Sequence, residues 1–271
     1  MTQTQVNLAC GAAYVADDGW LNFDYAGSGA DVQATDLLSR LPLADDSAAL
    51  VYSSHFLEHI PRNQVPAFLS ECFRILKPGG VLRLVVPDLE NLCRTYLVHR
   101  DGGEHEQADF LVLELLDQFV RRESGGELGR YYQQLRSAPQ RNAEAIAFVH
   151  HRTGEDLIAP PPRKRRLLRE VPRKVAAKIE RFWTLAVLQL LPKAFREQNV
   201  SLAAVGERHH WLYDFHQLQR LLTAAGFVAI ERCTAATSRV PHFPFHPLDL
   251  AGDGQPRKGA ESLFIEAQKP G

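Results

Sequence analysis

A handful of residues in this 271-residue chain have the type and the setting to do chemistry. Gly11 follows an apolar run, Gln5–Ala9, and a glycine there lets a ligand approach the backbone closely. Asp24 ends a second β-type run, Trp20–Asp24, where a carboxylate can accept both hydroxyls of a ribose. Asp36, in the stretch ATDLL, is placed to meet an adenine amino group. A third run, Ala49–Ser54, leads into His55. His59 in LEHI, Asp88 in VPDLE and the pair His209–His210 beside Trp211 are candidates for taking a proton, histidine because its pKa lies near neutrality. Each has a plainer reading as well. A glycine at a strand end serves an ordinary turn, a histidine there serves structural hydrogen bonding, and Asp88 fits equally well as the N-cap of a helix LENLCRTYL.

The elements that must hold these residues alternate between strand and helix. Over residues 62–76, Val65, Phe68, Leu69, Cys72, Phe73 and Leu76 recur at three- and four-residue spacing, which predicts one buried helical face. Lys77-Pro78-Gly79-Gly80 should end that helix, and Val81–Val86 is a strongly β-type strand closed by Pro87. Strand, helix and strand with short joints imply parallel pairing by right-handed crossover. In such a sheet ligands bind at the carboxyl ends of the strands, beside the switch in strand order, so Gly11, Asp24 and Ser53-Ser54-His55 should share one edge. Near the C-terminus, Asp214 followed by Gln217 has the form of a capping box. Leu218, Leu221, Leu222 and Ala225 follow as a stripe closed by Gly226, and Phe227–Arg232 and Ser262–Gln268 are the last strands. Residues 238–260, rich in Pro, Gly and His, read as an ordered loop. Between the two α/β parts, residues 99–200 carry helical periodicity and few strand signals. The expected division is therefore a core of 1–98 and 201–271, with a helical insertion at 99–200 that covers the acceptor pocket as a lid.

Bulk properties narrow the function. Hydrophobic residues at 45% suffice for a globular core, and a net charge of −1 argues against nucleic acid as a partner. The four cysteines form no CxxC pair and no cluster, as expected of thiols in a reducing compartment. The opening MTQTQVNLAC has no basic segment followed by an apolar run, and no stretch of about 18 apolar residues occurs anywhere, so a cytoplasmic location is expected. His209, His210, Asp214 and His216 match no standard ligand spacing, and no metal is expected from them. Residues 163–196 hold eleven Lys or Arg against two Glu, interleaved with apolar residues that include Trp183. A basic amphipathic helix of this kind either lies on an anionic membrane or packs its apolar face on the core or on the mate of a homodimer.

Taken in order, VNLACG, GWLNFD, ATDLLSRLP, SSHFLEHI and RILKPGGVLRLVVPD resemble the class I S-adenosylmethionine (SAM)-dependent methyltransferase superfamily. The likeness is to the bacterial methyltransferase type 11-like group, with an L-N-L-G-C-G opening and a G-W-L-N-V-D second strand. It covers residues 6–90, and more loosely HHWLYDFHQLQRLLTAAGF and SLFIEAQK. The resemblance implies an α/β, Rossmann-like, mainly parallel seven-stranded sheet with helices on both faces, a helical insertion and an antiparallel last strand. It implies SAM as cofactor, with Cys10 and Gly11 at the methionyl part, Asp24 at the ribose, Asp36 and Leu37 around the adenine, and Ser54, His55 and Leu57 lining the site. Asn7 stands where the group has an acid, Ala9 and Ala13 where it has glycines, and the short interval from Gly11 to Asp24 leaves the first helix abbreviated or missing. Asn7 can still hydrogen-bond the loop, and a methyl group at Ala9 would crowd the cofactor. The group often accompanies polysaccharide assembly, so methylation of a sugar or glycan hydroxyl, lipid-linked in one version, is the leading expectation. Methylation of another small molecule at a hydroxyl or amine, and a non-catalytic protein of this fold, are the alternatives.

Overall fold

The computed structural model describes residues 4–27, 30–159, 182–184, 186–204 and 206–271. Its centre is a seven-stranded sheet in the order β3-β2-β1-β4-β5-β7-β6. The strands are β1 (Gln5–Leu8), β2 (Trp20–Asp24), β3 (Val32–Ala34), β4 (Ala48–Ser54), β5 (Leu76–Pro87), β6 (Val228–Cys233) and β7 (Ser262–Gln268). β1 to β5 run parallel, while β7 pairs antiparallel with both β5 and β6. This is the mainly parallel Rossmann-like sheet, with its antiparallel last strand, that the sequence led us to expect.

The register aligns the carboxyl ends. Leu8 sits opposite both Phe23 and Ser53, Asp24 opposite Ala34, and Ser54 opposite Val85. β1 lies between β2 and β4, so the strand order reverses beside it and opens a crevice there.

Alternation along the strands divides the core in two. Val51 on β4 and Leu82, Leu84 and Val86 on β5 face α1 (Val65–Ile75) and a later helix over Phe215–Ala224. Leu50, Tyr52, Val81 and Val85 face the opposite way and are covered by Ala235, Phe243 and Leu248 of the β6–β7 connection. That connection, read from sequence as loop alone, contains a helical turn at Phe245–Leu248. A buried ion cluster pins it down. Arg83, fully buried on β5, bonds the Asp249 carboxylate at 2.8 Å, Glu266 at 2.7 Å and the carbonyls of Thr234 and Thr237 at 2.9 and 3.0 Å. Tyr52 donates to the second Asp249 oxygen at 2.8 Å.

Three local features differ from expectation. β3 is an additional strand, invisible in the sequence because only Val32 of its three residues is buried. Helix α1 begins at Val65, since Pro61 and Pro66 favour a late start, with proline at N2 of the helix. Asp214 caps its helix by accepting from the Gln217 amide at 2.7 Å, but Gln217 does not reach back. Its carboxamide accepts instead from the Trp211 indole at 2.8 Å. The segment between Leu8 and Trp20 holds turns and no helix, in keeping with its short length.

A helical layer follows β5: α2 (Leu89–Asp101), α3 (His105–Val120), α4 (Gly126–Ser137) and α5 (Ala143–Thr153), then α6 (Lys193–Asn199), with α7 (Phe215–Ala224) returning to the sheet. Phe110, Leu135, Ile146, Val149 and Leu157 give this layer a core of its own. One cluster ties its helices to one another and one backbone contact ties it to the segment leading into β7. Arg152 on α5 pairs with Glu114 on α3 at 2.6 Å and bonds Asn91 on α2 at 2.6 Å. Gly154 and Gly259 also let the end of α5 pass against the 257–259 backbone. A Cβ on Gly154 would strike the Arg257 carbonyl, and one on Gly259 the Arg152 carbonyl.

Candidate active site

At the β1–β2 end of the edge, Asp24 organises the turn. Its Oδ2 accepts from the Gly11 amide at 2.9 Å and its Oδ1 from the Ala26 amide at 3.1 Å. Gly11 has φ +53°, and a Cβ there would meet nothing within 4 Å, so space lies open above the turn. Ala9 also has a positive φ, 56°, and packs on the hydrophobic core. Asn7 is buried beneath the turn, donating to the Ala13 carbonyl at 3.1 Å and to the Asn22 side chain at 3.3 Å, with its own carbonyl oxygen unpartnered. It reaches the edge only through the loop it holds. Cys10 is buried beside Asp24, and burial first, then that carboxylate, pushes its thiol up to about 11. Asp36 is exposed; it accepts from Ser39 at 2.6 Å and from the Leu38 amide at 3.0 Å, which hold its carboxyl below the usual range, while Leu37 turns inward.

At the β4–β5 end, His55 leaves the strand with φ +51°. Its Nε2 lies 2.9 Å from the Ser262 hydroxyl, and its amide donates to the Val85 carbonyl at 2.8 Å. Ser54 accepts from Arg257 at 3.3 Å. A single 3₁₀ turn, Leu57–His59, buries Leu57 and presents Glu58 and His59 inward. Glu58 is fully buried, and neither of its carboxylate oxygens has a hydrogen-bond partner. Its Oε1 lies 3.4 Å from His55 Nδ1 and 3.9 Å from His59 Nε2. Desolvation raises the Glu58 carboxyl to about 8 and lowers all three nearby histidines, His209 to about 3. The backbone fixes the partner strand of chain: the Glu58 carbonyl accepts from the His210 amide at 2.7 Å and from the Trp211 amide at 3.3 Å. That pairing turns His209 inward, its ring edge-on to His59 at 4.8 Å.

His55, Glu58, His59 and His209 floor a cavity of about 510 Å³ between the edge of the sheet and the helical layer. Glu114 and Gln118 of α3, Arg121 just after it, Tyr132 of α4, and Lys258 and Glu261 from the connection into β7 wall it. Of the proposed proton acceptors, His59 borders this cavity. His210 is exposed outside it, and His209 takes the inward place. Asp88 is buried with its carboxylate engaged: it caps α2 by accepting from the amides of Glu90 and Asn91 at 3.0 and 3.3 Å and lies 3.4 Å from Arg232. Glu58, Glu114, Lys258 and Glu261 were not anticipated. The one sequence signal for Glu58 is an acid set among Phe56, Leu57 and Ile60, all at least partly buried.

Residues 9–84 match the family model of a methyltransferase domain. This stretch, from the turn after β1 to the middle of β5, is similar to that family. No curated protein matches it. Among solved structures, the complex between the Haloferax volcanii Trm112 methyltransferase activator and its methyltransferase is similar at 12% identity and TM-score 0.41, over 100% of this chain and 84% of that one. A SAM-dependent methyltransferase from Thermotoga maritima follows at 14% identity and TM-score 0.39, over 98% and 82% of the two chains. A Bacillus halodurans protein has 14% identity and TM-score 0.39, over 100% and 94%. Likeness at this level carries no inference about substrate.

The edge at β1 and β2 has the features that SAM asks for on the chain's own geometry: open space above Gly11 and a half-buried carboxylate at the end of β2. Among the described residues no helix is long and apolar enough to cross a membrane. Most of the basic segment 163–196 lies outside the described residues; within it, Phe182, Trp183, Val187 and Leu190 are exposed.

Proposed function

We propose that the protein transfers the methyl group of SAM to a hydroxyl of a sugar or glycan in the cytoplasm. The observation that carries this reading is the number of polar and charged side chains on the cavity wall. Pro87, Leu92, Leu128 and Leu212 give it an apolar side, and most of the rest is carboxylate, imidazole, carboxamide, ammonium or guanidinium. A polyhydroxylated acceptor meets such groups with hydrogen bonds, whereas an aromatic or quinone-like acceptor would leave many of them desolvated and unpaired.

In this reading Gly11 and Cys10 border the methionyl part of SAM, Asp24 accepts from the ribose hydroxyls, Asp36 and Leu37 flank the adenine, and Ser54, His55 and Leu57 line the approach. Asn7 acts from beneath, by holding the turn through Ala13. The bound cofactor supplies a methyl group already activated on a sulfonium. The chain must then align the acceptor oxygen and deal with its proton. The lone pairs available on the cavity floor are those of Glu58, His59 and His209, so the hydroxyl is activated there. Asp88 serves by positioning the start of α2.

A second reading, an amine acceptor, is favoured by the excess of carboxylates (Glu58, Glu114, Glu155, Glu207, Glu261) over Arg121 and Lys258. The exposed apolar group around Trp183, together with the basic run in the sequence, supports contact with an anionic membrane and hence a lipid-linked acceptor. The deciding experiment incubates the protein with SAM and panels of sugars, nucleotide sugars, lipid-linked glycans and small amines, and follows each by mass spectrometry. Gain of one methylene mass on a sugar hydroxyl is the expected result. Methylation of amines alone, or none with SAM bound, refutes it.

A further inference from the structure

We propose that Glu58, His59 and His209 form a binding site for one divalent transition-metal ion of the zinc type, on the floor of the cavity. One donor atom from each lies within 4.8 Å of the other two. Donors at about 2.0–2.2 Å in a tetrahedral site stand roughly 3.3–3.6 Å apart, so side-chain rotations that move the donor atoms by about 1 Å close the set. Two histidines and a carboxylate are the protein ligands of many zinc sites that keep a fourth position open for water or substrate, and here that position faces the cavity.

Three independent details point to an ion. The first is Glu58. A carboxylate that is fully buried with both oxygens unpartnered is costly, and its nearest neighbours, the His55 and His59 nitrogens at 3.4 and 3.9 Å, make no hydrogen bond to it. A cation satisfies both oxygens together. The second is the tautomer of His59. Its Nδ1 lies 2.8 Å from the Arg208 carbonyl, which can only accept, so Nδ1 carries the proton and the Nε2 lone pair faces Glu58. Histidine ligands to metals are oriented by this kind of second bond. The third is rigidity. His209 donates its amide to the Gln118 carbonyl, and the two amides after it are held by the Glu58 carbonyl, so the donors are preset by backbone pairing. Lys258 and Arg121 also border the cavity, but Arg121 pairs with Asp117 and lies 4.0 Å from Glu207, which reduces its opposition to a cation.

The use of the ion rests on the hydroxyl-acceptor reading; its binding does not. An acceptor hydroxyl at the open position becomes more acidic. Its proton leaves to water at the cavity mouth, the oxygen forms the new O–CH₃ bond, the S–CH₃ bond breaks, and its electron pair stays on sulfur.

The test uses the purified full chain, stripped with chelator and titrated with Zn²⁺, with bound metal counted by mass spectrometry. One ion per chain is expected, together with a rise in melting temperature. Glu58→Gln and His209→Gln should each weaken binding by at least about 100-fold, beyond what loss of a supporting partner costs. His216→Gln, at an exposed histidine outside the set, should not. Co²⁺ should show the visible absorption of a four-coordinate site in the wild type and lose it in the two variants. If either variant fails to fold, the wild-type stoichiometry and melting shift decide alone. No stoichiometric Zn²⁺, or equal affinity in folded variants, overturns the site. Zn²⁺ binding without sugar methylation would instead refute the acceptor reading and leave the site standing, while methylation that persists in chelator would refute the role given to the ion.

Discussion

The reading of Asp24 as the ribose acceptor predicts a graded loss of SAM affinity on substitution. Its two oxygens already take the Gly11 and Ala26 amides at 2.9 and 3.1 Å, yet each carboxylate oxygen has a second lone pair to offer. Two ribose hydroxyls donating to a charged acceptor contribute about 1.5–3 kcal/mol each. Even if water restores most of this, Asp24→Ala should weaken binding by more than about tenfold, which requires only about 1.4 kcal/mol. Asp24→Asn keeps one acceptor oxygen and loses the charge, so it should fall between alanine and wild type. Stability should change little, by about 0.5–1 kcal/mol, because both amides lie at an exposed turn where water can replace the carboxylate. Calorimetric titration with SAM, beside thermal melts, reads both quantities. A folded Asp24→Ala variant that binds SAM as the wild type does would refute the assignment. If Asp24→Asn lost as much as alanine, the anionic charge would account for the whole effect.

Other expectations follow from the same structure. Arg83→Met leaves Asp249 and Glu266 buried without their cation, at a cost of about 3–5 kcal/mol; the melting temperature should fall by roughly 10 °C, and unchanged melting would refute the role of the cluster. Asp88→Ala removes the α2 cap and should cost about 1 kcal/mol in melts while SAM affinity holds; a loss of turnover without loss of stability would instead make Asp88 part of the chemistry. Because each Lys or Arg near an anionic surface adds about 1 kcal/mol, segment 163–196 should carry the protein onto anionic vesicles at low salt and release it as salt rises. Failure to bind at low salt, with Trp183→Glu splitting a dimer, would assign the exposed apolar group to a second copy.

The sheet was legible in the sequence where burial was two-sided. Val81–Val86, apart from Arg83, and Ala49–Tyr52 are apolar because both faces are covered, and Pro87 closes β5, although that strand starts at Leu76 and runs through the Pro78-Gly79-Gly80 segment expected to precede it. β3 was not legible: three residues with one buried side chain have no periodicity to detect. The missing first helix could be inferred from chain length alone, since a crossover from Leu8 to Trp20 leaves no room for one beside the turns that Asn7 and Asp24 stabilise. Gln217 had the right spacing for a capping box, but the Trp211 indole, brought close by the Glu58 carbonyl, competes for it and wins.

The candidate site divides along the same line between local and assembled geometry. Gly11 and Asp24 were readable because a strand end and the turn after it place them, and both belong to one short stretch of chain. The cavity draws instead on residues from 55 to 261, and periodicity says nothing about which of two adjacent histidines faces it. The choice between His209 and His210 is made by the Glu58 carbonyl. By accepting the amides of residues 210 and 211, it pins the chain with His210 toward solvent and His209 over the carboxylate of the same glutamate. Glu58 therefore enters twice, its backbone selecting the histidine and its side chain supplying the carboxylate of the proposed ligand set. A substitution at Glu58 that keeps the backbone, such as glutamine, should preserve the inward His209, which is why it separates loss of the ligand from loss of the fold.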